Sequence, residues 1–453
     1  MLWELNLAVR LVLLAALALF TIWYTARGLQ NGIWLFLATS IWPMLQGSLF
    51  RAGGGLPNVT LDRVVWPLVL LVFIFRWKRG EIDRSPPDSI EYCMFALLLV
   101  TLLSCYIQKT YVSNGSASKG LDIFTLLSGF GLPFMCYFIM RRGAFSETQV
   151  VSFLIGVALI TVYLGLTSLG EAWHQSWLVF PKYILNPKLG IHSGYARGPF
   201  LNASFNGLSM VMGLPILLWL CFRRRDASLW LWLSGLAAVG LSLPYVFQRA
   251  AWLGAAAALG VMALTWPKRR PVLVGAVLLI TMVGILMVPK TLEEKLHSKW
   301  ANPANIQGRF RLIETTHKII QNHLATGIGF GRFQQEARHY GMPEFESSHN
   351  TPLTLFAELG LFGFVPYVLV FSLFLGKSIK AYSQVPWSRP LIGSWWGITA
   401  AYIIMLVSVE MRFVAYPNIL FYALWGLLLG KVRRQPDLQQ ERDAHYQRVV
   451  SFI

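Results

Sequence analysis

Along the chain, long uncharged stretches alternate with short charged punctuation. Four uncharged runs stand out: 23 residues at 28–50, 23 at 148–170, 25 at 198–222 and 22 at 227–248. A helix rises about 1.5 Å per residue, so roughly 20 apolar residues cross the ~30 Å hydrocarbon core of a bilayer. Each run is therefore a candidate transmembrane helix. Stretches bounded by charges at 11–26, 92–108, 123–140, 250–267, 271–289, 359–376, 390–409 and 413–430 extend the pattern. A shorter one at 64–75, between Arg63 and Arg76, spans only if its helix starts near Leu56 and its arginines snorkel. The pattern predicts an all-α polytopic membrane protein built from 13 candidate segments.

Composition agrees. Of 453 residues, 55% are hydrophobic and 13% charged, about half the charged fraction of a soluble domain. That excludes a disordered chain, a disulfide-stapled secreted domain and a soluble nucleic-acid binder, despite a net charge of +18. No nucleic-acid partner is expected. Cys93, Cys105, Cys136 and Cys221 fall in or at the ends of apolar segments, with neither metal-ligand spacing nor a disulfide framework. The first apolar run has no basic start, so no cleavable signal is expected. The lack of an internal repeat disfavours a transporter built from duplicated halves.

Orientation follows from Lys and Arg, which collect in cytoplasmic loops. Basic clusters at Arg76–Arg84, Arg141–Arg142, Arg223–Arg225, Lys268–Arg270, Lys377–Arg389 and Lys431–Arg434 all fall on one side when the segments are threaded between them. The opposite, outer side receives 51–60, 109–120, 171–197, the tight 248–250 turn, 290–350 and 410–412. If all of the first three segments span, there are thirteen spans and the N-terminus is outside. If one is re-entrant or interfacial there are twelve and it is inside, which is the arrangement preferred here. The expected organisation is an N-terminal bundle at 1–289, which includes the outer segment 171–201. An outer loop follows at 290–350, then C-terminal helices at 351–431 and a cytoplasmic tail at 432–453.

Membrane carriers place ionisable groups near mid-bilayer. Here the span centres are almost free of charge, with Glu358 the main exception, and polar chemistry concentrates in the outer segments. Loops much beyond about 12–15 residues are uncommon without a purpose. Within 290–350, Phe310, Ile313, Ile320 and Leu324 recur at helical spacing. They predict an amphipathic helix along the membrane with Arg309 and Arg311 in its first turn. Gly327 should end it, with Gly329 and Gly331 continuing a flexible turn. His349 precedes a helix start that Asn350 or Thr351 can cap and Pro352 suits. There it can face an interfacial cavity as a base, or simply bond its own loop.

Arg249 is the only charge between Asp226 and Lys268. So isolated an arginine either snorkels to water or grips an anion, and its planar fork suits phosphate. Arg197, in Arg197-Gly-Pro-Phe, poses the same choice against a plain interface anchor. Glu410 and Arg412 read as a local ion pair. His317 and His323 lie six apart and make a poor metal pair, His174 and His192 are isolated, and no metal- or nucleotide-binding motif occurs. No metal or cofactor is expected.

Several short motifs, in this order, resemble the bacterial O-antigen ligase and polymerase superfamily. They are Arg197-Gly-Pro-Phe-Leu-Asn-Ala-Ser-Phe-Asn-Gly, Gln248-Arg-Ala-Ala-Trp-Leu, Gly308-Arg, Gly327-Ile-Gly-Phe-Gly-Arg-Phe and His349-Asn-Thr-Pro-Leu with Glu358-Leu-Gly. The resemblance covers roughly 190–365. Ala250-Ala251 departs from the more usual Gly-Ala after the first arginine, and Arg311 competes with Arg309 for the second arginine position.

The resemblance implies a bacterial inner-membrane glycosyltransferase, GT-C-like, inverting and metal-independent, working at the periplasmic face. Its donor would be an undecaprenyl-diphosphate-linked glycan and its acceptor lipid A-core or another glycan, with membrane lipids around it. It implies catalytic roles for Arg249, Arg309 and His349; Arg197, Arg311 and Glu358 are candidate substrate-binding residues. Polymerisation of the same donor is the nearest alternative, and solute transport is the alternative of another class.

Overall fold

A backbone in hydrocarbon must satisfy its N–H and C=O groups internally, so helices follow the apolar runs. The computed structural model describes residues 7–42, 60–108, 126–223, 227–275, 303–342, 348–384 and 389–433. Among them are thirteen α-helices of 11 residues or more. They are α1 (Leu7–Arg27), α2 (Leu29–Ser40), α3 (Leu61–Lys78), α4 (Ser89–Gln108), α5 (Leu132–Arg142), α6 (Glu147–Ala172) and α7 (Ala203–Arg223). The series continues with α8 (Ser228–Ser242), α9 (Arg249–Thr265), α10 (Pro303–Asn322), α11 (Thr351–Gln384), α12 (Arg389–Leu406) and α13 (Ala415–Arg433).

Twelve of the 13 predicted segments overlap one of these helices. Segment 271–289 lies mostly outside the described residues, as do most of the outer stretches 51–60 and 109–120, residues 290–302 and the tail from 434. Among the described residues, five helices are each long and apolar enough to cross a membrane: Ser89–Ile107, Glu147–Ala172, Ala203–Arg223, Ser228–Val246 and Thr351–Ser383. A sixth results if α9 is joined to Pro267–Gly275 across a 117° bend. This bend sits beside the basic cluster Lys268–Arg270. As described, α2 has 12 residues, about 18 Å, too few to cross alone.

The bundle is organised around α7 and α13, which are buried almost throughout their length. Gly426 and Gly430 of α13 meet α5 so closely that an added β-carbon would lie 2.3 Å from the Tyr137 carbonyl oxygen and 2.4 Å from that of Arg141. Small residues at such spacing let helix backbones approach where lipid supplies no hydrophobic drive. Peripheral helices instead turn apolar side chains outward, as α4 does with Phe95, Leu99 and Tyr106 and α11 with Phe362, Val365 and Leu369. Several polar groups inside pair with one another: Asn206 Nδ2 donates to Ser168 Oγ at 2.8 Å, and Trp425 Nε1 to Thr399 Oγ1 at 3.1 Å.

The basic clusters meet at one end of this bundle. Arg141 bonds Asp88 at 2.9 Å and Glu91 at 2.6 Å, and Arg142 bonds Glu91 at 2.8 Å. Lys377 reaches the same Asp88, and Arg433 reaches Asp83 at 3.2 Å. Arg223 pairs with Glu147 at 2.7 Å, Arg269 lies over the Phe222 ring, and Trp266 Nε1 donates to the Pro390 carbonyl at 2.9 Å. The other end gathers the segments that the sequence places outside. Ala196 N donates to Tyr245 O at 2.9 Å, Phe200 packs on Tyr416, and Phe330 N donates to Ser104 Oγ at 2.9 Å.

Candidate functional site

At that second end, α11 begins with a well-made cap. Asn350 Oδ1 accepts from Leu353 N at 3.0 Å, so of the two capping candidates it is Asn350 that caps. Thr351 makes different bonds: its hydroxyl donates to Val409 O at 3.0 Å and accepts from Met411 N at 2.8 Å. Asn350 Nδ2 adds a longer bond, 3.4 Å, to Val407 O. The start of α11 is thus tied to the connection between α12 and α13.

Two turns further on, about 10 Å along the axis, Glu358 is buried. Its Oε2 takes a hydrogen bond from Arg412 Nη1, and its Oε1 accepts from Phe333 N at 3.2 Å. Arg412 also grips Glu410, Nε to Oε1 at 2.7 Å and Nη2 to Oε2 at 3.2 Å, and lies over the Phe330 ring. All three ionic side chains are nearly inaccessible, at 4% or less. Burial by itself would lower the Arg412 pKa; Glu358 and Glu410 outweigh this and raise it. Buried charges persist only when paired and hydrogen-bonded, and here both conditions are met.

Immediately after Glu358 the helix breaks. Gly360 adopts φ 58°, ψ −158°, a conformation that side-chain-bearing residues avoid. The turn 324–331 fills the break with its own backbone: Ile328 N donates to Ala357 O at 3.0 Å and Gly329 N to Glu358 O at 2.9 Å. In the other direction Leu361 N donates to Leu324 O at 2.9 Å and Phe362 N to Ala325 O at 3.3 Å. Gly327, Gly329 and Gly331 all have positive φ. The glycine run expected to be a flexible turn is instead stitched into a broken span.

That turn carries α10. The helix starts at Pro303, six residues before Arg309, so neither Arg309 nor Arg311 lies in its first turn as the periodicity suggested. The packed stripe also differs from the predicted one. Leu312, Thr315, Thr316, Ile319 and Ile320 are buried, whereas Phe310, Ile313 and Leu324 are exposed. The stripe packs with Ile328, Phe333, Ala337, Met342 and Ala357 into a small separate core. Spacing alone does not tell which apolar residues meet protein and which meet the outside. At about 100° per residue, Arg309 lies about 50° from the centre of the packed stripe and Arg311 about 110° from it, on the other flank. Both arginines are exposed.

Arg249 and His349 are exposed as well. Arg249 is the first residue of α9, directly after Phe247 (φ 51°) and Gln248, and His349 itself has φ 50°. The non-glycine residues with positive φ among those described are His174, His192, Leu201, Phe247 and His349, and all belong to segments at this end. Each such residue costs about 1–3 kcal/mol, and outliers of this kind concentrate at functional sites. Arg197 behaves differently. It is buried, and its guanidinium donates to the carbonyls of Leu189 at 2.5 Å, Ile184 at 2.7 Å and Asn186 at 2.6 Å. Its Nε lies 3.8 Å from Glu171, whose carboxylate accepts from Gly198 N at 2.7 Å.

Two partnerships escaped the sequence. Arg412 bonds not only its neighbour Glu410 but also Glu358, 54 residues earlier. Glu171 meets Arg197. One signal was available for the second pair: Glu171 is the only Asp, Glu, Lys or Arg between Glu147 and Lys182, and Arg197 the only one between Lys188 and Arg223.

Apolar helices around a core, with a strained polar end opposite a basic end, define an all-helical multi-pass membrane protein. Residues 235–368 match the family model described as O-antigen ligase. The matched segment runs from α8 through α9 and α10 past the break in α11, and so encloses Arg249, Arg309, Arg311, His349 and Glu358. No curated protein matches the chain.

Proposed function

We propose that the protein is an O-antigen ligase-type glycosyltransferase. It moves a glycan from undecaprenyl diphosphate to an acceptor hydroxyl of lipid A-core at the periplasmic face of the inner membrane, inverting and without a metal. The fold read with it has twelve spans and a GT-C-like arrangement. The observation that carries this reading is the family match, which encloses the proposed catalytic residues Arg249, Arg309 and His349, all exposed.

In the proposed step the acceptor oxygen attacks the anomeric carbon from the face opposite the diphosphate. The bond from that carbon to the diphosphate oxygen breaks, and its electron pair leaves with the phosphate. His349 takes the hydroxyl proton, assistance typically worth ~10²–10⁴-fold. Arg249 and Arg309 stabilise the charge that grows on the leaving group, as fixed guanidinium groups in a partly dry site do most effectively. The lipid tail stays among the apolar helices while the sugars project into water. Arg197 and Glu358, engaged by the chain itself, act by holding the outer segments rather than by touching substrate.

The test supplies purified protein with labelled undecaprenyl-diphosphate glycan, with and without lipid A-core. Core-dependent transfer that disappears in His349→Ala, with the thermal unfolding profile kept, is the expected result. Ladders built on donor alone would identify a polymerase. Transfer at the wild-type rate in both His349→Ala and Arg249→Ala overturns the mechanism.

A further inference from the structure

We infer that Arg412 is a positioning residue for this site: held by Glu358 and Glu410, it sets the register between the turn bearing His349 and the helix bearing Arg309. The inference rests on the proposed function for its catalytic consequence but not for its geometry.

The outer half of α11, residues 351–358, is strapped at both ends to one short segment. At its start, the Thr351 hydroxyl bonds Val409 O and Met411 N. At its end, Glu358 bonds Arg412. His349 lies two residues before this strapped helix start. The Glu358 carboxylate does more than accept Arg412, since its other oxygen takes the amide of Phe333 at 3.2 Å. Its carbonyl takes Gly329 N at 2.9 Å, and Arg412 covers Phe330. The turn that ends α10 therefore hangs from the same ion cluster. Backbone at 411–413 is fixed in its turn, because an added β-carbon on Gly129 would lie 2.9 Å from the Arg412 carbonyl oxygen. A guanidinium suits this place. Its rigid fork serves two carboxylates at once and keeps its charge when buried. Lysine would offer one rotating ammonium and could not hold both in register.

Arg412 touches no proposed reacting group, so its removal is expected to misplace rather than delete the chemistry. Misplacement by about 1 Å costs on the order of 100-fold in rate. The decisive measurement is a spin-label distance between α10 and α12, using His317→Cys and Ile403→Cys, both exposed, in a Cys93→Ser background. It is read in otherwise wild-type protein, Arg412→Lys, Glu410→Gln and Thr351→Val. The expected result is a broadened or displaced distance distribution in Arg412→Lys and, to a smaller degree, in the other two. Without the labels, the same variants should lose about tenfold or more in kcat with donor KM nearly unchanged.

Thr351→Val and Glu410→Gln keep the test open if Arg412→Lys fails to fold. Unchanged distances in all folded variants overturn the inference, whatever the activity. Altered distances with a raised donor KM and unchanged kcat also overturn it, by assigning Arg412 to substrate binding. Absence of transfer in the wild type would sink the proposed function and leave the distance test standing.

Discussion

Gly327 lies against the backbone of Glu358 so closely that an added β-carbon would meet the Glu358 carbonyl carbon at 2.3 Å. The two are 31 positions apart in sequence, yet their contact is what lets one turn fill the break in α11. Gly360 repeats the relationship from the other side, with an added β-carbon 2.2 Å from the Ala325 carbonyl oxygen. Alanine at either position would combine an unfavourable positive φ with a clash. A loss of about 2 kcal/mol or more is expected, read as a lowered apparent Tm in detergent. Gly376, also in α11, has nothing within 4 Å of its β-position. Gly376→Ala should therefore be neutral or mildly stabilising, which makes it the control.

Arg309 and Arg311 should separate by helix face. Arg309 flanks the stripe that packs toward α11, and Arg311 lies on the far flank. Arg309→Ala is expected to lower kcat/KM for glycan transfer about tenfold more than Arg311→Ala, the size of loss that follows when one charge-assisted contact is removed from a developing anion. Equal losses would show that the face argument does not govern which arginine acts.

Arg197 should report on the segment 171–201 instead of on chemistry. Arg197→Ala leaves three backbone carbonyls without their buried donor, at about 1–3 kcal/mol for unsatisfied polar groups. The expected signature is faster trypsin cleavage after Lys182 and Lys188, with α7 and the core protected. Cleavage at the wild-type rate would mean that other contacts hold the loop.

At the basic end, Asp88 supplies a pH dependence. Burial pushes its carboxyl pKa up, but Lys377, the Glu91 amide and Arg141 prevail and hold it below the usual value. A depressed folded-state pKa contributes stability that is present above the unfolded value of about 3.9 and fades as pH falls through the folded one. Apparent Tm should therefore drop on acidification below about pH 4. The difference between wild type and Asp88→Asn should be largest near neutrality and shrink in that acid range. A difference that stays constant down to pH 3 would contradict the linkage.

Much of the architecture is legible in the sequence. Apolar runs bounded by charges marked twelve segments that are helices, because a bilayer leaves uncharged backbone no other partner than itself. Clustering of Lys and Arg marked one end of the bundle, and ion pairs through Asp83, Asp88 and Glu91 do join several clusters there. Less legible was α10. Four apolar residues at helical spacing suggested one face, but a periodic pattern shows only that a helix has a face, not what that face meets. Leu312 and Ile319 are buried, whereas Phe310 and Ile313 of the periodic set are exposed.

Sequence alone determined that this is a helical multi-pass membrane protein with its basic clusters gathered between apolar segments, since the burial of uncharged runs and the placement of cations are local consequences of composition. Tertiary structure decided how those segments are held. Glu358 finds Arg412 across 54 residues, Glu171 finds Arg197, and a glycine turn enters a broken span. Each of these depends on which distant elements pack together, and the energy of a buried ion pair or a backbone contact is defined only after that packing exists.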